Sequence, residues 1–116
     1  MNVEIIREYC LSKKGTTEGF PFGEDTLVFK VCDKMFALVN LGGDLSVNLK
    51  CDPEKAIDIR ERYPVVTPGY HMNKRSWNTV LIDGSVPEAI IFEWIDHSYD
   101  QVVQKLPKKL RDSVSE

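Results

Sequence analysis

The sequence predicts one α+β domain in which helices cover one face of an antiparallel sheet. Three observations lead there. Residues 26–50 fall into three short runs that alternate apolar and polar side chains and are joined by turn formers. Segments with helical apolar spacing stand at the start, between the third and last strand runs, and at the end. Strands grouped in this way, with helices outside the group, favour helices on one side of an antiparallel sheet.

Each element has its own signal. In residues 2–13, Val3, Ile6 and Cys10 recur at helical spacing, as do Ile5 and Tyr9. Lys13 and Lys14 suit the negative end of that helix, and Gly15 suits its stop. Residues 16–25, TTEGFPFGED, read as a short strand or arm with Phe20 and Phe22 on one face. Leu27, Phe29 and Val31 oppose Val28 and Lys30 in a strand over 26–32, and Asp33-Lys34 makes a tight connection. A second strand over 35–40 is expected to turn Phe36 and Leu38 the same way. Gly42-Gly43-Asp44 marks a hairpin. Leu45, Val47 and Leu49 then alternate with Ser46, Asn48 and Lys50, a strand with one wet face.

Asp52-Pro53-Glu54 opens the next helix, with Asp52 as cap and proline at the first helical position. Ala56, Ile59 and Tyr63 form its buried stripe, Pro64 ends it, and Pro68-Gly69 is a turn. Residues 77–83 form the last expected strand, Trp77, Thr79 and Leu81 opposing Val80 and Ile82. Ser85-Val86-Pro87-Glu88 has the spacing of a capping box. The helix after it runs to about residue 105, with Ile91, Ile95, Ser98 and Val102 on one face. Pro107 interrupts, and a short basic segment follows.

Bulk properties narrow the function. At 116 residues and 42% hydrophobic, residues 1–116 are expected to form a single domain whose core needs no staples. The formal net charge of −3 argues against a nucleic-acid binder overall and leaves only local patches for an anionic partner. Cys10, Cys32 and Cys51 are odd in number and widely spaced, which fits unpaired thiols in a reducing cytoplasm. The amphipathic start MNVEIIREYC lacks a signal-peptide core, and no apolar run approaches a membrane span.

Motifs for chemistry are sparse. His71 and His97 have no local partner residues at ligand spacing, so no metal site is expected. No nucleophile motif, phosphate loop or placed acid–base pair occurs, and neither an enzyme nor a cofactor is expected. Ser98 reads as a helix-packing serine bonding back to its own helix. Two basic segments remain. Lys74 and Arg75 sit beside Tyr70, His71 and Trp77, and cations among aromatics can neutralise phosphates and stack bases. Lys105, Lys108, Lys109 and Arg111 form a second patch with no acid among residues 101–111.

The segments FPFGEDTLVFKVCDKMFALVNL, LKCDPEKA, PGYHMNK with Trp77, and SYDQVVQKLPKKLR together resemble the MmcQ/YjbR family of small bacterial proteins over nearly the whole chain. The resemblance implies a CyaY-like (frataxin-like) two-layer α+β fold with a twisted antiparallel sheet. It also implies DNA binding through a "double wing" motif, proposed for a family whose molecular role is largely uncharacterised. Ser76 stands where the family usually has a histidine before the tryptophan, so a role for that imidazole is absent here. The expectation is a non-enzymatic, monomeric binding module that takes DNA weakly and in a salt-dependent way. Its candidate site residues are His71, Asn73, Lys74, Arg75, Trp77, Tyr99, Lys108 and Lys109. Trp77 is expected to anchor its strand, whereas His71, Asn73, Lys74 and Arg75 have no evident fold duty. The alternative is a small-molecule or protein-interaction domain, the latter using apolar side chains such as Val28 on the wet sheet face.

Overall fold

The computed structural model describes residues 1–69 and 72–115. The elements run α1 (Val3–Leu11), β1 (Thr16–Gly19), β2 (Thr26–Val31), β3 (Lys34–Asn40), β4 (Ser46–Lys50), α2 (Pro53–Arg62), β5 (Val66–Pro68), β6 (Trp77–Leu81), α3 (Glu88–Gln104) and α4 (Lys108–Val114). The six strands form one antiparallel sheet in the order β1-β2-β3-β4-β6-β5. Ile6 and Cys10 of α1, Ala56 and Ile59 of α2, and Ile91, Ile95 and Val102 of α3 all join one core with Phe29, Val39, Val47 and Val80 of the sheet. The first and the long helix therefore share a sheet face, because each carries an apolar stripe that only this core can cover. Burying each Ile, Val or Phe among them contributes about 1.5–3 kcal/mol. Tyr9 stacks on Phe92 at 4.0 Å and donates its hydroxyl to Asp96 at 2.6 Å, which ties α1 to α3.

The opposite sheet face carries a smaller cluster of Val28, Leu38 and Trp77, with Met35 and Met72 packed against it. Here one expectation is corrected. Phe36 and Leu38 do not face the same way: Phe36 lies in the main core and Leu38 in the outer cluster. Phe29 pairs with Ala37 and Lys30 with Met35, so Phe36 is the extra residue of a β-bulge. The bulge turns Phe36 inward against Tyr99, edge to face at 5.3 Å. It also leaves the Phe36 carbonyl outside the ladder. Ser98 of α3 donates its hydroxyl to that carbonyl at 2.5 Å and accepts the Lys50 N–H at 2.8 Å. Ser98 thus bonds to the sheet rather than to its own helix.

Other departures are local. The short strand expected within residues 16–25 is β1, Thr16–Gly19, and Phe20 and Phe22 lie beyond it in an exposed turn, half or more open to solvent. β5 is a short edge strand with no alternation in its sequence to announce it. Ser85 does not cap α3. Its N–H and hydroxyl both donate to Asp83 Oδ1, at 2.9 and 2.6 Å, and Pro87 occupies the cap position without a side-chain bond. The basic segment after Pro107 is the seven-residue helix α4. Among the described residues no helix is long and apolar enough to cross a membrane. Cys10, Cys32 and Cys51 are unpaired, and burial pushes the Cys10 thiol up to about 12 and the Cys51 thiol to about 11.

Candidate functional site

The loop into β6 is held by short-range bonds. The Met72 N–H donates to the Gly69 carbonyl at 2.9 Å, and the Ser76 N–H to the Asn73 carbonyl at 3.1 Å. Asn73 Oδ1 accepts the Arg75 N–H at 2.9 Å, so Asn73 has a fold duty that its sequence context did not reveal. Arg60 of α2 donates to the Lys74 carbonyl at 3.0 Å and braces the loop from outside. Lys74 and Arg75 are exposed and, with Arg60 and Glu54, line a recess against α2. His71, with its neighbour Tyr70, lies outside the described residues.

The remaining candidates do not all join this loop. Trp77 is buried at 8% exposure in the outer cluster, so its indole is a packing anchor rather than an open stacking platform. Tyr99, expected as a neighbour of the loop, is buried on the β1 side of the sheet. Its hydroxyl donates to the Lys14 carbonyl and its ring meets Phe36. Lys108 pairs with Asp112 at 2.7 Å one turn along α4, and Lys109 is exposed.

The strand registers gather charges that are scattered in the sequence. Val31 pairs with Lys34, Lys50 with Trp77 and Thr16 with Val31, so one end of the sheet collects the β2–β3 turn, the end of β4, the start of β6 and the entry to β1. Lys13, Lys14, Lys34, Lys50, Lys74 and Arg75 lie there, and α3 returns to the same end to place Lys105. The acids at these connections are Asp33 and Asp52; in addition Asp96 of α3 pairs with Lys13, and Glu54 of α2 stands beside Lys74 and Arg75. Asp52 is committed to the α2 cap, accepting the Lys55 N–H at 3.2 Å. At the other end, the connections 19–25, 41–45 and 82–88 carry Glu24, Asp25, Asp44, Asp83 and Glu88 and no Lys or Arg. A net charge of −3 therefore conceals a molecule with one basic and one acidic end.

Lys34, Lys50 and Lys105 line a second recess, with Met35, Val102, Leu106 and Pro107. In sequence Lys105 belongs to a basic tail, and the other two lysines have no evident role. Their meeting depends on the register of β3 against β4 and on where α3 ends. Burial, and then the neighbouring Lys105, hold the Lys50 ammonium below its usual range. His97 is also committed: its Nε2 accepts the Asp52 N–H at 3.1 Å. A third depression crosses the open sheet face between Leu38, Asn40, Asn48 and Thr79, where Thr79 donates its hydroxyl to Asn48 Oδ1.

Known proteins place these features in a family. Residues 11–101 match the family model described as YjbR. The chain is 35% identical over 112 residues to the uncharacterized protein YjbR of Escherichia coli K12, covering 96% of this chain and 95% of that one. It is 40% identical over 91 residues to the uncharacterized protein YbdF of Escherichia coli O157:H7, covering 78% and 75%. Among solved structures, Deinococcus radiodurans protein DR2400, described with the domain DUF419, superposes with a TM-score of 0.90 at 38% identity, covering 97% of this chain and 87% of that one. A Pseudomonas syringae protein superposes with a TM-score of 0.75 at 30% identity, covering 87% and 98%.

Proposed function

The chain belongs to the YjbR family, and we propose that it works by binding rather than catalysis, holding the phosphate backbone of DNA against its basic end. The observation that carries this reading is the gathering of cations from separate elements at one end of a chain that is acidic overall. Lys74 and Arg75 would make the main phosphate contacts, with Lys108 and Lys109 extending the field from α4. Binding is preferred to catalysis because the nearby titratable groups have structural duties: Asp52 caps α2 and His97 accepts a backbone N–H. Of the two hairpin tips within the meander β2-β3-β4, the β2–β3 turn lies at the basic end. The tip at Gly42-Gly43-Asp44 lies at the acidic end and is not assigned to DNA.

Contacts to phosphate alone imply weak, salt-steep binding with little sequence preference. Fluorescence anisotropy with labelled duplex and single-stranded DNA across a salt series tests this. Replacing Lys74 and Arg75 by alanine is expected to weaken binding and to flatten the salt slope by about two, one for each phosphate no longer neutralised. DNA binding that is unchanged in the double variant, with a large fall in melting temperature, would make these residues fold determinants and remove the binding role. A second reading, a small neutral polar ligand on the open sheet face, is favoured by the depression at Asn40, Asn48 and Thr79. NMR titration with such ligands would then shift amides confined to β4 and β6.

A further inference from the structure

The recess of about 350 Å³ between β3, β4 and the end of α3 has an unusual charge balance. Among the described residues, three of its lining side chains are Lys34, Lys50 and Lys105, and none is Asp or Glu. Among the described residues, no ion pair engages any of the three lysines. Lys50 and Lys105 line the same recess, and burial, then Lys105, hold the Lys50 ammonium below its usual range. The fold fixes the bases of these side chains: Lys34 begins β3, Lys50 ends β4 with its N–H held by Ser98, and Lys105 is the residue that closes α3. The helix dipole accounts for a cation at the end of α3 but not for two more brought against it. The last carbonyls of α3 are largely occupied, since those of Val102 and Val103 accept the Lys105 and Leu106 N–H groups at 3.1 Å and that of Gln104 faces Arg111 at 3.5 Å. An anion entering the recess would meet ammonium groups between the apolar walls of Met35, Val102, Leu106 and Pro107.

We propose that this recess is a binding site for a phosphate monoester group. Like charges held together without a counter-acid repel, and an anion between them turns that repulsion into attraction. A monoester carries about −1.5 to −2 at neutral pH and three strong acceptor oxygens, which suits three ammonium donors. An internal phosphodiester carries a single charge and matches the set less well. The site stands apart from the Lys74–Arg75 recess, which shares no lining residue with it, and it does not depend on the DNA reading. The group has two possible sources, a free small phosphate or the terminal phosphate of a nucleic acid.

The test is NMR of labelled protein titrated with inorganic phosphate at constant ionic strength, with chloride as the matched control. Saturable shifts at Lys34, Lys50 and Lys105 and along 102–106 are expected at roughly millimolar phosphate, the affinity of a few charge-assisted bonds. Lys50→Met and Lys105→Met should each weaken phosphate binding about tenfold, the effect of removing one charge-assisted bond. Lys50→Met should also raise the melting temperature, because it relieves burial of a charge beside Lys105. Arg62→Gln removes an equal charge from α2, where Arg62 pairs with Asp58, and should leave phosphate binding as it was. Shifts no different from those with chloride, or full binding by both methionine variants, would overturn the proposal. In buffer free of phosphate, tighter binding of a 5′-phosphorylated than a 5′-hydroxyl oligonucleotide, the difference being lost when inorganic phosphate is added, assigns the group to a nucleic-acid end, and equal binding assigns it to a free phosphate. Phosphate in the recess with DNA binding indifferent to Lys74 and Arg75 removes only the DNA reading. DNA binding through those two residues with an empty recess removes only this one.

Discussion

A methyl group at position 69 would sit 2.9 Å from the Trp77 Cβ and 3.2 Å from the Trp77 carbonyl oxygen, so Gly69 is required by the close approach of two backbone segments as well as by its turn. The turn was legible in Pro68-Gly69; the approach was not, because it depends on a residue whose position only the folded loop sets. His97 shows the same limit. In sequence it reads as a helix-surface histidine, but α3 carries it to the start of α2, where its Nε2 accepts the Asp52 N–H. Burial, followed by the nearby Lys55, holds its imidazole below the ordinary value of 6.5. The unfolded chain therefore takes up this proton before the folded one does. The stability linked to His97 is complete above the unfolded value, falls as pH drops through it, and levels off once the folded ring is also protonated. His97→Gln keeps an acceptor but cannot titrate. Melting temperatures of the two proteins from about pH 8 to pH 5 should diverge on acidification, wild type losing more. A constant difference between them would show that the ring titrates alike in both states.

Strands and helices were legible wherever a pattern ran for several residues. The alternation Leu27, Phe29, Val31 and the stripe Ile91, Ile95, Val102 each predicted the correct buried face. β5 was not legible because three residues ending in proline show no alternation, and an edge position tolerates the missing N–H. Nor was the bulge at Phe36, because two apolar neighbours break period two without saying which of them turns. Helix starts give the sharpest contrast. Asp52 and Ser85 both stand at cap spacing, yet Asp52 accepts the Lys55 N–H whereas Ser85 is taken by the Asp83 carboxylate in a turn. Asp52→Ala should therefore cost about 1 kcal/mol, as for a working cap. Ser85→Ala should cost about 0.5 kcal/mol or less, as for an ordinary exposed position. Urea denaturation of both variants decides the matter, and equal destabilisation would restore the capping box.

The charge polarity belongs to the molecule rather than to any segment, since it arises only when the antiparallel registers stack one set of connections at each end. Central strands of five to seven residues, at about 3.3 Å each, hold the two ends about 20 Å apart, more than two screening lengths at physiological salt, where the Debye length is about 8 Å. A partner at the basic end should then respond to the local cations and hardly at all to the total charge. Two sets of substitutions separate these quantities. Lys74→Ala with Arg75→Ala makes the net charge more negative and removes cations at the basic end. Glu24→Gln, Asp25→Asn and Asp44→Asn remove three charges from exposed positions at the acidic end and take the formal net charge from −3 to zero. If binding is local, the first set flattens the salt slope for DNA by about two, and the second leaves slope and affinity near wild type at physiological salt. Below roughly 0.01 M salt the Debye length reaches about 30 Å, so the distant acids of the wild type are no longer screened from the DNA, and there the acidic-end variant should gain affinity over wild type. A gain of equal size at both salt concentrations would mean that DNA senses the total charge, and the basic end would lose its claim to be a site.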